Sequence, residues 1–133
     1  MNREDRELIL IVEDNERNLR LVRDLLQAHG FATIEAQSAC TGLALAAARK
    51  PALILMDIQL PDLDGIAALR RLRGDGETAS TVVVALTAFA MNSDRQRFLD
   101  AGFDDYLEKP IDVKTFPAHV RALLHRRVPD VPV

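Results

Sequence analysis

The chain has 133 residues, room for one folded unit of ordinary size and none for a second. Its 48% apolar and 28% charged residues are the balance of a globule that buries a core, which excludes an intrinsically disordered chain. The net charge of −3, from 17 Lys and Arg against 20 Asp and Glu, gives no electrostatic footprint for a phosphate backbone and argues against direct nucleic-acid binding.

Met1 to Glu7 are polar and lack the apolar core of a secretory signal, so the protein is expected to stay in the cytoplasm. The first apolar run is Leu8–Val12. Leu19, Val22, Leu25 and Leu26 then share one helical face, and Gly30 after His29 can take a left-handed C-cap. Phe31–Ile34 forms the second run, and Ser38 can cap an Ala-rich helix that reaches Arg49 before Pro51. Cys40 is the only cysteine. It can form neither an internal disulfide nor a cysteine cage and is read as filler in this helix.

The third run is Ala52–Met56, and Asp64 can cap a helix carrying Ile66, Leu69 and Leu72 that Gly74-Asp75-Gly76 closes. Thr81–Leu86 is the fourth run, followed by a helix from Asn92 to Asp100 that ends at Gly102. Asp104–Leu107 is the fifth and weakest. Asp112 can cap a last helix presenting Phe116, Val120, Leu123 and Leu124, with Pro117 tolerated in its first turn. The folded unit is expected over 1–127, with 128–133 a mobile tail. The longest mainly apolar stretches, Leu8–Val12, Ala52–Met56 and Thr81–Met91, fall well short of the roughly 20 residues of a membrane span, so no membrane insertion is expected.

Strands alternating strictly with helices argue for an α/β fold, a parallel sheet covered on both faces. The first and third runs are almost continuously apolar, which places them side by side at the middle of the sheet. Ligands of such sheets sit beyond the carboxyl ends of the strands. There the first run delivers Glu13 and Asp14, the third Asp57, the fourth Thr87, and the fifth is followed by Lys109-Pro110. Each alone has an ordinary explanation as a helix cap or solvated loop residue; their arrival at one rim does not. Three crowded carboxylates require compensating positive charge. Lys109 brings one unit and a divalent metal would bring two. All-oxygen ligation with few protein ligands suits Mg2+ better than Ca2+. His29, His119 and His125 fall on helices away from this edge and read as surface residues.

The segments Ile-Leu-Ile-Val-Glu-Asp-Asn (9–15), Leu-Ile-Leu-Met-Asp-Ile-Gln-Leu-Pro-Asp-Leu-Asp-Gly (53–65), Val-Ala-Leu-Thr-Ala (84–88) and Tyr-Leu-Glu-Lys-Pro (106–110) carry a resemblance to response-regulator receiver domains that covers about 8 to 125. Leu-Thr-Ala-Phe-Ala-Met (86–91) is similar to the single-domain regulators of the DivK type. The resemblance implies a flavodoxin-like, doubly wound (βα)5 fold with strand order 2-1-3-4-5. It implies a phosphorelay switch in which Asp57 takes a phosphoryl group from a histidine kinase, a histidine phosphotransfer protein or a small phosphodonor. It implies that Asp14 and Asp57 ligate Mg2+, Glu13 directly or through water, and the backbone carbonyl of Gln59 completes the protein ligands. Lys109 would pair with a phosphoryl oxygen, Thr87 would turn its hydroxyl toward it, and Tyr106 would move inward as the fourth helix, fifth strand and fifth helix rearrange.

Signalling would pass by contact with a downstream protein, from a monomer or a weak dimer through that same face. The domain would catalyse nothing beyond its own phosphorylation and dephosphorylation. Glu13 stands where many members have Asp. Gln59 and Phe89 stand two residues beyond Asp57 and Thr87, where the family varies, and bulky Phe89 is expected to slow hydrolysis of the aspartyl phosphate. Exposed Arg17, Arg20, Arg95 and Arg97 are candidates for partner choice, or simply a solvated face.

Other readings compete. A haloacid-dehalogenase-like phosphohydrolase needs an acid two residues after its nucleophile, where this chain has Gln59. A flavin binder would need a phosphate-cradling loop after the first strand, where Glu13 and Asp14 would repel phosphate. A receiver excised from a hybrid histidine kinase or longer regulator, and a non-phosphorylated pseudo-receiver serving as an interaction module, also stay open at this point.

Overall fold

The computed structural model describes residues 7–88 and 92–127. Ten elements alternate along the chain: β1 (Leu8–Val12), α1 (Glu16–Ala28), β2 (Ala32–Ala36), α2 (Ala39–Arg49), β3 (Leu53–Asp57), α3 (Gly65–Gly74), β4 (Val82–Thr87), α4 (Asn92–Ala101), β5 (Asp105–Glu108) and α5 (Phe116–Arg127). All pairings are parallel, in the order β2-β1-β3-β4-β5. This is the flavodoxin-like (βα)5 sheet expected, with β1 and β3 as neighbours. Four strands begin one residue later than the apolar runs do, because the hydrogen-bond ladder rather than hydropathy sets their ends.

Alternation across the pleat divides the core into two layers. Ile9, Ile11, Leu53, Leu55, Val82, Val84 and Leu86 point to one side and pack on Leu19, Val22 and Leu26 of α1 and Val120, Leu123 and Leu124 of α5. Leu10, Val12, Ile54, Met56, Val83 and Ala85 point to the other and pack on α2, α3 and Phe98 of α4. Every residue of β3 and β4 is buried, whereas the edge strand β2 is mostly half-buried.

Local signals set the helix ends. Asn15, Ser38 and Asp64 cap α1, α2 and α3, accepting the N–H of Asn18, Thr41 and Ala67. Gly30, just past α1, has φ of +92°, a conformation open to glycine. Asp112 acts one turn earlier than expected. Its carbonyl accepts the N–H of Thr115 and Phe116 and its side chain that of Lys114, closing a turn from which α5 then starts at Phe116.

Two expectations need correction. Cys40 lies on α2 but is exposed and fills nothing. His119 is on α5 as expected, yet it is half-buried and its Nε2 lies 2.9 Å from Asp105 Oδ2 on β5, so it is more than a bare surface residue. His29 and His125 are exposed. No described helix is long and apolar enough to cross a membrane. Phe89, the Arg95 side chain and the 128–133 tail lie outside the described residues.

Arg73, in the last turn of α3, gathers the loops on the side of the sheet away from the carboxylates. Its guanidinium donates to the carbonyls of Ala79 (3.0 Å), Thr81 (2.6 Å) and Gly102 (2.9 Å) and to Asp104 Oδ2 (2.9 Å). Asp104 Oδ2 also accepts the Val83 N–H at 2.8 Å. Arg73→Ala is expected to lower the unfolding free energy by about 2 kcal/mol, and Arg73→Lys to recover under half of that, because one ammonium cannot serve acceptors spread across a planar fork. Urea unfolding of the three proteins checks this; equal midpoints for Lys and Arg would discard the geometric argument.

Candidate metal and phosphoryl site

Four strand ends build the site. Glu13 and Asp14 follow β1, and the Glu13 N–H donates to the Ala36 carbonyl at 2.9 Å, which holds the chain in line past the end of the strand. Asp57 is the last residue of β3, and its Oδ1 accepts the N–H of Gln59 at 3.0 Å. Glu13, Asp14 and Asp57 each offer a carboxylate oxygen, all within 4.8 Å of one another. Glu13 and Asp57 are buried and Asp14 is exposed, so the cluster opens to solvent on one side.

Lys109 reaches in from beyond β5, its Nζ 2.8 Å from Glu13 Oε1 and 3.1 Å from Asp57 Oδ2. The Lys109 N–H donates to the Thr87 carbonyl at 2.8 Å, and the Lys109–Pro110 peptide is cis. Thr87 is buried at the end of β4. Tyr106, on β5, is half-buried with its ring centroid 6.5 Å from that of Phe98.

Backbone packing admits this arrangement only with glycine at 65. A Cβ there would lie 2.9 Å from Ile58 Cα and 3.1 Å from the Asp57 carbonyl oxygen. Gly65 thus lets α3 start directly under the residue that follows Asp57, and its N–H closes the loop on the Ile58 carbonyl at 2.9 Å.

The charge balance is uneven. Burial, reinforced by Asp57, pushes the Glu13 carboxyl from its ordinary 4.5 up to about 7, against the opposing pull of Lys109 and of the Asn15 N–H. Burial alone would draw the Lys109 ammonium down, but Glu13 and Asp57 outweigh it and hold it above its ordinary value. Despite the nearness of Lys109, Glu13 Oε1 is buried without a well-directed hydrogen bond. One ammonium therefore leaves the three carboxylates short of positive charge, and Glu13 Oε1 has an ion-pair partner but no well-directed hydrogen bond. A hard divalent cation fits that donor set.

The sign of the pH effect follows. A carboxyl whose folded pKa is raised favours the folded state when protonated, so its contribution is fully present below 4.5 and is lost as pH rises through about 7. Metal-free protein is expected to lose stability across that window relative to Glu13→Gln. Adding Mg2+ near pH 6 should release a proton that the variant does not release. Thermal unfolding across pH and calorimetry in buffers of different ionisation enthalpy check both; identical pH profiles would remove Glu13 as the group involved.

A family model described as the response regulator receiver domain matches residues 9–121. The chain belongs to the response-regulator receiver family. Among curated relatives, the polar-differentiation response regulators DivK of Brucella anthropi and Brucella ovis are 42% and 43% identical over 116 residues, 87% of this chain and 94% of each relative. Among solved structures, a putative response regulator from Chloroflexus aurantiacus superposes with a TM-score of 0.86 at 26% identity, over 92% of this chain and all of the other. The receiver domain of a sensor histidine kinase from Pseudomonas aeruginosa, 33% identical with a TM-score of 0.79, covers 91% of this chain and 96% of its own; that structure holds a magnesium ion coordinated in its active-site cleft. The receiver is thus a two-component signalling module similar to DivK, and the phosphohydrolase and flavin-binding readings fall away.

Within the receiver, Glu13, Asp14, Asp57 and Lys109 come together as the sequence suggests, with Gln59 and Thr87 adjacent along the same strand ends. Sequence reasoning missed Asp62. Its carboxylate accepts the N–H of Ala39 at 2.8 Å and of Cys40 at 2.9 Å, bridging the β3–α3 loop to α2. In the sequence it stands only as part of Leu-Pro-Asp-Leu-Asp-Gly, where no local spacing points to α2. Arg17, Arg20 and Arg97 are exposed.

Proposed function

We propose that this receiver takes a phosphoryl group on Asp57 with Mg2+ and signals by a change of conformation. The observation that carries the reading is the meeting of Glu13, Asp14 and Asp57 within 4.8 Å, with Lys109 at 3.1 Å from the Asp57 carboxylate. Magnesium in the cleft of the Pseudomonas receiver supports the choice of ion. Glu13, Asp14, Asp57 and the Gln59 backbone carbonyl would hold it, and when bound it neutralises charge on the transferring phosphoryl oxygens.

A carboxylate oxygen of Asp57 attacks the phosphorus of a phosphohistidine on a histidine kinase or phosphotransfer protein, or of a small acyl phosphate. The P–N or P–O bond to the donor breaks with its electron pair leaving on the donor, and an aspartyl phosphate forms. Little covalent help is required beyond alignment and charge neutralisation, so one ammonium and a metal supply most of it. Lys109, freed from Asp57, pairs with a phosphoryl oxygen. Thr87, buried at the neighbouring strand end, turns its hydroxyl toward the same group, and Tyr106 follows inward, shifting the α4, β5 and α5 surface toward a form that a downstream protein reads. The protein works as a monomer or a weak dimer through that surface.

The test is incubation with acetyl phosphate and Mg2+, followed by intact mass. One added phosphoryl group is expected, and none when a chelator is present from the start. Absence of labelling from both acetyl phosphate and a phosphohistidine donor would defeat the reading.

A further inference from the structure

Asp62 lies within the 58–64 loop joining β3 to α3, and it is not a member of the acidic cluster. The amides it accepts, those of Ala39 and Cys40, belong to the first two residues of α2. A helix start leaves such N–H groups without partners in the helix. Ser38, the local cap, serves Thr41 instead, at 3.2 Å. Asp62 therefore supplies from another loop what the local cap leaves open. Those backbone N–H donors hold its carboxyl down at about 2, so it remains ionised over the working pH range.

The anchor itself is firm. α2 is seated on β1 so closely that a Cβ at Gly42 would lie 2.8 Å from Val12 Cγ2, and Val12 directly precedes Glu13 and Asp14. At its near end the loop is fixed by the Gln59 N–H on Asp57 and the Gly65 N–H on Ile58. At its far side the two bonds from Ala39 and Cys40 to Asp62 bind it to α2, the helix seated on β1, the strand that the other two carboxylates follow.

We propose that Asp62 is a positioning residue for the metal site: by fastening the β3–α3 loop to α2, it fixes the backbone from which the Gln59 carbonyl reaches the cation. The inference rests on the reading of that site given above. Asp62 touches neither cation nor phosphoryl group, and its effect passes through the loop. Partners of this indirect kind commonly set metal affinity even though they make no bond to the ion.

Ser38→Ala separates positioning from simple support of α2, because it weakens the same helix start without touching the loop. In calorimetric titration of the full chain with MgCl2, Asp62→Ala is expected to weaken binding by roughly tenfold or more and Ser38→Ala by no more than about twofold. In metal-free protein, amide exchange over 58–64 should quicken in Asp62→Ala and not in Ser38→Ala. If Asp62→Ala does not fold, Asp62→Asn, which keeps one acceptor oxygen, is expected to show a smaller effect of the same kind. Equal Mg2+ affinity in wild type and both variants, or equal weakening in both, overturns the role of Asp62 alone. Failure of the wild type to bind Mg2+ overturns the site reading and this inference with it.

Discussion

Asp57→Asn is expected to reduce phosphoryl labelling by acetyl phosphate to background and, in the absence of metal, to make the protein more stable than wild type. The first result follows from chemistry, since an amide oxygen is not the anionic nucleophile that the step needs. The second follows from the surroundings of Asp57. The attraction of Lys109 at 3.1 Å is opposed by the two other carboxylates whose oxygens lie within 4.8 Å, so Coulomb terms of a few kcal/mol largely cancel. What remains is the desolvation of a carboxylate that is only 5% exposed, which the neutral amide avoids. A gain of about 1–2 kcal/mol in unfolding free energy is expected from this remainder. Saturating Mg2+ should reverse the order, because the wild type binds it more tightly and gains stability by mass action. Intact mass and denaturant unfolding with and without Mg2+ check the pair. Persistent labelling of Asp57→Asn would move the acceptor elsewhere, and lower metal-free stability would mean that the pairing with Lys109 outweighs burial.

The placing of acids at the carboxyl ends of apolar strands explains which parts of this protein could be read from its sequence. β1 and β3 announce themselves as central because Leu8–Val12 and Leu53–Asp57 carry hardly any polar residue before their carboxyl ends. The interruption of those apolar runs by Glu13, Asp14 and Asp57 marks the site for the same reason: nothing in packing calls for acids there. α1 was equally plain, its stripe of Leu19, Val22 and Leu26 being the face that the structure buries. α2 was not. Ala39–Arg49 is apolar almost all round, so periodicity does not say which side meets the sheet, and only Ala39, Gly42 and Ala46 prove buried while Cys40 faces solvent.

The long-range polar contacts were also hidden. Asp62, Arg73 and the His119–Asp105 pair find partners set by how separate elements and loops meet in space, which no local spacing encodes. Asp62 and Asp64 illustrate the limit within one motif. Asp64 caps the helix that follows it, a role visible in sequence, whereas its neighbour two positions earlier caps a helix that begins 23 residues before it.

Lys109→Ala should be the most disruptive single change at the site, and its effect should depend on pH and metal in a way that separates folding from chemistry. The Lys109 ammonium lies against both buried carboxylates, at 2.8 Å from Glu13 and 3.1 Å from Asp57. Removing one partner of a buried ionic group while leaving the others typically costs about 3–5 kcal/mol, and the solvent opening at Asp14 places the expected loss near the lower end, about 3 kcal/mol at pH 8 without metal. Near pH 5 the loss should shrink. Glu13 already titrates at about 7 with Lys109 present, and without the lysine it would hold its proton higher still, so at pH 5 one of the two carboxylates is neutral. Mg2+ at pH 8 should restore much of the stability, because a divalent ion among the same oxygens replaces the missing charge. It should not restore labelling to the wild-type rate, since an ion held among the carboxylates does not reproduce an ammonium placed against a phosphoryl oxygen. Unfolding free energies at the two pH values and labelling rates under saturating Mg2+ measure these effects. Full recovery of the labelling rate by Mg2+ alone would reduce Lys109 to a structural counter-charge, whereas recovered stability with slow labelling would assign it both roles.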